Sequence, residues 1–214
     1  MSIKKNLNDV LKSLPNSVTL VAVSKTKPNS ALLEAYHSGQ KAFGENKVQE
    51  MAQKAKELPK DIIWHMIGHL QTNKVKFIAP FVSLIHGVDS IKLLNEINKR
   101  AEQNNRVIDC LLQVHIATES NKFGFDITEV NEAINNVKEF TNIKIVGLMG
   151  MATLTDNKRQ VIKEFNSLKT LFESVKDENI SILSMGMSGD YHLAIEQGSN
   201  MVRIGSAIFG HRNK

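Results

Sequence analysis

A lysine at the end of an apolar run is the residue in this 214-residue chain best suited to covalent chemistry. Lys25 follows a near-continuous β-branched and apolar stretch at 19–24. Desolvation lowers the pKa of a lysine amine, and a nearby cation such as Arg203 lowers it further. The free base can then attack an aldehyde. The same position also suits a solvated surface cation, the usual state of a lysine. Lys27 lies two residues further on, past the strand end, and is expected to face solvent. Towards the C-terminus, Gly186, Gly189 and Gly205 allow close backbone approach, and Ser184, Ser188 and Ser206 supply hydroxyl donors. Such residues can hold a phosphate through neutral groups; ordinary tight turns account for them equally well. His65 and His69 are four apart like zinc ligands on a helix. They span a strand end and a turn, without the partnering glutamate, so no metal site is expected. The single cysteine, Cys110, sits in the apolar run 107–114 and reads as a buried structural thiol.

These groups need elements to hold them. Short apolar runs at 19–24, 41–44, 62–67, 82–87, 108–116, 143–149, 180–185 and 201–204 read as eight strands. Amphipathic stretches lie between them: Ile91, Leu94, Ile97 and Ala101 share one helical face, as do Val161, Phe165, Leu168, Phe172 and Val175. One more such stretch, 3–14, precedes the first strand. Pro28 can open a helix, and Asp89 or Ser90 can cap another. Strands alternating with helices require parallel pairing, because parallel neighbours need a crossover. Eight units in this length predict an α/β fold, a (β/α)8 TIM-type barrel with an extra N-terminal helix. An open doubly wound sheet is the alternative, but no glycine-rich dinucleotide turn follows the first strand. No serine-, glycine- or proline-rich linker breaks the pattern, so one domain over 1–214 is expected. In such a barrel the strand C-termini carry function, and the turns after strands seven and eight often bind phosphate. Lys25 and the 184–188 and 203–206 segments all fall there.

Hydrophobic residues make up 42% and charged residues 23% of the chain, which excludes a disordered or fibrous protein. The apolar runs are far shorter than the roughly 20 residues of a membrane helix. The polar N-terminal residues lack the apolar core of a signal peptide. One cysteine permits no internal disulfide and suits a reducing compartment. A cytoplasmic protein without a membrane partner is expected. The net charge of +5 is scattered along the chain. It allows a phosphorylated ligand but not the one-sided basic face of a nucleic-acid binder.

Longer motifs join these residues. Ala-Val-Ser-Lys-Thr-Lys-Pro at 22–28, Phe-Gly-Glu-Asn at 43–46 and Trp-His-Met-Ile-Gly-His-Leu-Gln-Thr-Asn-Lys at 64–74 appear in that order. Gly-Leu-Met at 147–149, Leu-Ser-Met-Gly-Met-Ser at 183–188 and Val-Arg-Ile-Gly-Ser-Ala-Ile-Phe-Gly at 202–210 follow. Together they resemble the YggS/PROSC family of pyridoxal 5′-phosphate (PLP) homeostasis proteins over nearly the whole chain. The resemblance implies a barrel similar to the N-terminal domain of bacterial alanine racemase (PLP fold type III), with PLP as a Schiff base on Lys25. It implies that Arg203 faces the pyridine nitrogen and that Asn46 lies beside the ring. The phosphate would be held by Gly205, Ser206 and the segment of Ser184, Gly186 and Ser188. Ser206 stands where many members have threonine, and Lys47 where an aromatic residue is common. An arginine at the ring nitrogen leaves it largely unprotonated and so a weak electron sink. Racemases of this fold draw a second base, a tyrosine, from another domain; here Tyr36 and Tyr191 fall in predicted helices. The implied role is a monomeric carrier or regulator of intracellular PLP, with PLP-dependent apo-enzymes as recipients. The alternative is a PLP-dependent amino-acid racemase or related α-carbon enzyme, with Lys25, His65, His69 or His86 moving the proton.

Overall fold

The computed structural model describes residues 2–119 and 123–210. Eight strands form one closed barrel in chain order: β1 Thr19–Val23, β2 Ala42–Glu45, β3 Ile63–Met66, β4 Leu84–Val88, β5 Ile108–Gln113, β6 Ile143–Met149, β7 Ile182–Met187 and β8 Met201–Ile204. Every neighbouring pair is parallel, and β8 closes on β1 with Val21 opposite Arg203. The helices are α1 Ile3–Ser13, α2 Asn29–His37, α3 Val48–Glu57, α4 Ile91–Gln103, α5 Val130–Asn136, α6 Lys158–Val175, α7 Tyr191–Glu196 and α8 Ser206–Phe209.

Side-chain alternation along each strand divides the apolar residues between two cores. Val21, Leu84, Leu111, Met149 and Met201 meet inside the barrel. Phe43, Trp64, Ile85 and Val202 point outwards, into the layer shared with Leu32, Met51, Leu94, Ile97, Phe165 and Leu168 of the helices. Local chemistry sets the helix starts. Ser2 accepts from Lys5 N to cap α1, Ser90 accepts from Leu93 N to cap α4, and Pro28 precedes α2. The extra helix α1 lies against α8, where Asn6 Nδ2 donates to Ile208 O at 3.0 Å.

Two segments depart from the alternating pattern. The fifth strand ends at Gln113 rather than 116: Val114 N still donates to Met149 O at 2.8 Å, but beyond it the chain pairs with Phe125, where His115 N donates to Phe125 O at 3.0 Å. Between β3 and β4 the crossover is a 3-10 helix, Thr72–Phe77, stopped before Pro80. No helix among the described residues is long and apolar enough to cross a membrane.

Candidate functional site

A cavity of about 690 Å3 opens at the C-terminal ends of the strands. Lys25, Asn46, Ser188, Arg203, Gly205 and Ser206 line it, so six residues of the expected cofactor site meet in one place. Parity explains Lys25: Val21 and Val23 point into the barrel, and the next position of that parity is residue 25. Lys27, Ile67, Met151, Met187, Gly189 and Gly210 complete the wall with Val23. Among the described residues, the lining carries three cations, Lys25, Lys27 and Arg203, and no carboxylate.

Arg203 enters from inside the barrel and is 3% exposed. Its Nη1 donates to Ser184 O at 3.0 Å and to Ser184 Oγ at 2.6 Å, and its Nη2 donates to Gly150 O at 3.1 Å. These bonds fix the plane of the guanidinium through neutral acceptors alone. Burial lowers its pKa to about 10, and Asp190 opposes the shift. The group stays cationic at neutral pH. Ser184 Oγ also lies 3.3 Å from His86 Nδ1, and His86 Nε2 is 3.0 Å from His65 Nδ1. Because Ser184 accepts from Arg203, its own proton is assigned to His86 Nδ1, and His86 then donates through Nε2 to His65. Burial lowers the pKa of His65 to about 4 and that of His86 well below its usual value, so both rings are neutral.

At the end of the neighbouring strand β1, the residues flanking Lys25 are tied to α3. Ser24 Oγ donates to Glu45 Oε1 at 2.6 Å. Lys54 Nζ donates to Ser24 O at 2.9 Å, to Glu45 Oε1 at 2.8 Å and to Glu50 Oε1 at 2.7 Å. Glu50 Oε1 accepts from Thr26 N at 2.6 Å. Thr26 has φ +65°, in the left-handed region that a β-branched residue rarely adopts. Glu45 is fully buried, which pushes its pKa up, while the bonds from Lys54 and Ser24 pull it back down. The turns after β7 and β8 are joined by Gly205 N, which donates to Ser188 Oγ at 3.1 Å. That hydroxyl keeps its proton to offer a ligand.

Three expectations change. Lys27 does not face solvent: Thr26 redirects the chain, and Lys27 Nζ donates to Phe209 O at 2.9 Å and Gly210 O at 3.1 Å while lining the cavity. Ser184 is fully buried inside the barrel, and the structure spends its hydroxyl on Arg203 and His86 rather than on the cavity wall. Gly186 also lies off that wall. It has φ +92°, and a Cβ there would meet Ala194 Cβ at 2.7 Å, so it serves the packing of α7 on β7.

The remaining candidates lie apart from the cavity. His69 Nδ1 is 2.9 Å from Asp89 Oδ2, and its ring stacks on Phe123. Tyr36 OH donates to Asp61, and Tyr191 OH is 3.0 Å from Ser13 Oγ, both on the outside of the barrel. Cys110 is fully buried. No group of three or more histidine, cysteine or carboxylate side chains suited to a metal ion occurs among the described residues.

The family model for the alanine racemase N-terminal domain matches residues 1–213. A pyridoxal phosphate homeostasis protein of Aquifex aeolicus is 41% identical over 201 residues, covering 92% of this chain and 88% of that protein. PipY of Synechococcus elongatus, solved without PLP, superposes with a TM-score of 0.92 at 34% identity, covering 97% of this chain and all of that one. The same protein with PLP bound gives 0.88 at 33% identity over the same shares. With a closed eight-stranded barrel and this cavity at its strand ends, the chain belongs to the alanine racemase N-terminal domain family, among relatives named pyridoxal phosphate homeostasis proteins.

Proposed function

We propose that this chain binds PLP in the cavity at the strand ends, as a Schiff base on Lys25, and acts in PLP homeostasis as a carrier or regulator. The observation that carries this reading is a lining that has, among the described residues, two amines, a guanidinium and no carboxylate. Such a lining suits a phosphorylated aldehyde: an amine for the carbonyl, cations and hydroxyls for the anion. Gly205, Ser206 and Ser188 sit at the joined turns after β7 and β8, where barrels of this kind take phosphate. Ser184 and Gly186 act behind them, the first by holding Arg203 and the second by shaping the turn. Arg203 addresses the pyridine nitrogen, and Asn46 flanks the ring. Bound PLP supplies an electron sink for amino-acid chemistry. An arginine that keeps its proton weakens that sink, because it donates to the ring nitrogen instead of protonating it.

Neither tyrosine reaches the cavity, and the neutral pair His65–His86 lies in the barrel interior rather than on the lining. These positions favour holding the cofactor over racemisation. PLP-dependent apo-enzymes are the proposed recipients, and a cytoplasmic monomer the proposed form. The test is the visible spectrum of the purified protein with PLP, before and after borohydride, followed by peptide mapping. Wild type should colour and yield a reduced adduct on Lys25, and Lys25→Ala should do neither. An adduct mapped to another lysine would overturn the assignment. Loss of α-deuterium from an L-amino acid above the rate with free PLP, dependent on Lys25, would replace the carrier with the enzyme.

A further inference from the structure

Lys25 is held at both of its peptide neighbours by one side-chain clamp rooted in α3. On its N-terminal side, Ser24 O accepts from Lys54 Nζ, and Ser24 Oγ donates to Glu45 Oε1. On its C-terminal side, Thr26 N donates to Glu50 Oε1. Lys54 Nζ bonds both carboxylates, so the two sides are coupled through one ammonium. The side chains of Lys54 and Glu45 are 7% and 0% exposed, and that of Glu50 is 22% exposed. A lysine so deeply buried costs much desolvation unless its donors are satisfied. Here all three go to oxygens around residue 25. Glu45 Oε2 is buried without a hydrogen-bond partner among the described residues, a further cost concentrated at this point. The strained turn at Thr26 needs such support, since a β-branched residue in the left-handed region persists only where its surroundings over-determine it.

We infer that Lys54, Glu45 and Glu50 are positioning residues that hold the strained Lys25–Thr26 turn and so aim the Lys25 amine at an incoming aldehyde. The inference rests on the PLP reading of the cavity. The step it serves is the addition of the Lys25 amine to the aldehyde carbon. A carbon–nitrogen double bond forms, and the carbonyl oxygen leaves as water with the two amine protons. Relaxing the turn leaves the wall built by Ser188, Gly205 and Ser206 in place but misdirects the amine, and misplacement by about 1 Å can slow a reaction by about 100-fold.

Glu50 is the residue to vary, because its partial exposure allows removal without burying a new cavity. Two readouts are needed. Hydrogen exchange at the Thr26 amide of the apo-protein reports the clamp, with Lys54→Met as a second variant. Stopped-flow absorbance with PLP reports the bond to Lys25, and titration with pyridoxine 5′-phosphate, an alcohol that cannot form it, reports the cavity. Glu50→Ala should lose protection at Thr26 and slow bond formation by about 10- to 100-fold, with affinity for pyridoxine 5′-phosphate reduced far less. Glu50→Gln keeps an acceptor oxygen and should recover to within about fivefold, the difference between a charged and a neutral hydrogen bond. An unaltered rate in Glu50→Ala overturns the inference. So does an equal loss of pyridoxine 5′-phosphate affinity, which would mark a general collapse. Wild type that never bonds PLP removes the cofactor reading instead, while the Thr26 exchange data still decide whether the clamp exists.

Discussion

His65 and His86 face each other inside the barrel, and Arg203 stands beyond them with only Ser184 between. Protonating either ring puts a second cation into a space that already holds one. The sign of the resulting pH dependence follows from the depressed pKa of His65, about 4 against 6.5 in the unfolded chain. Between those values the unfolded chain binds the extra proton, so stability is full above pH 6.5 and falls as pH drops towards 4. His86 adds to the loss in the same direction. Urea denaturation of the apo-protein across this window should show up to about 1.4 kcal/mol lost per pH unit for each histidine, and His65→Gln should remove about one proton from the slope. Strand-end position made Lys25, Arg203, Ser188, Gly205 and Ser206 legible in the sequence, and motif resemblance added Asn46. The place of Lys27 was not, because it depends on a left-handed threonine, and residue type gives no sign of one. The arginine–serine–histidine contacts join strands four, seven and eight, and only the closed barrel brings those together.

Each element does two jobs, and their strengths differ. The strands were readable from β-branched runs within two or three residues at either end, since a closed parallel barrel needs apolar residues on both faces. The ends that slipped are those where the chain leaves the ladder to build a loop, as at Val114. The 3-10 crossover was missed because Thr72–Phe77 carries scattered lysines and no long apolar stripe. Among the turns, that after β7 has the tightest demand. Gly186→Ala must relieve both a left-handed backbone and contact with Ala194 and Tyr191. We expect it to cost about 2 kcal/mol by thermal or urea unfolding, and to weaken PLP binding only through movement of the adjoining Ser188 turn. A variant as stable as wild type would show that α7 shifts freely. At the start of α4, Ser90→Ala should cost about 1 kcal/mol, the value of a lost cap, with no effect on the cavity.

At the scale of the whole molecule, a ligand that bridges β1 and β8 stabilises the seam where the barrel closes. With free PLP at about 100 times its Kd, mass action adds about 2.7 kcal/mol to stability. For a chain of this size, that should appear as a Tm increase of about 5–10 °C. Lys25→Ala should keep only the part due to the phosphate and ring, and inorganic phosphate should produce less again. Equal shifts for wild type and Lys25→Ala would show that the lysine contributes nothing to holding the ligand. The seam also bears on synthesis. Val21 pairs with Arg203 at opposite ends of the barrel's chain order, so a nascent chain displays Lys25 long before the ribosome has made the wall that faces it. Domains complete their cores only when their last elements emerge. Cofactor capture must therefore wait until β8 has been made, and a chain terminated before it would carry the reactive amine with no pocket around it.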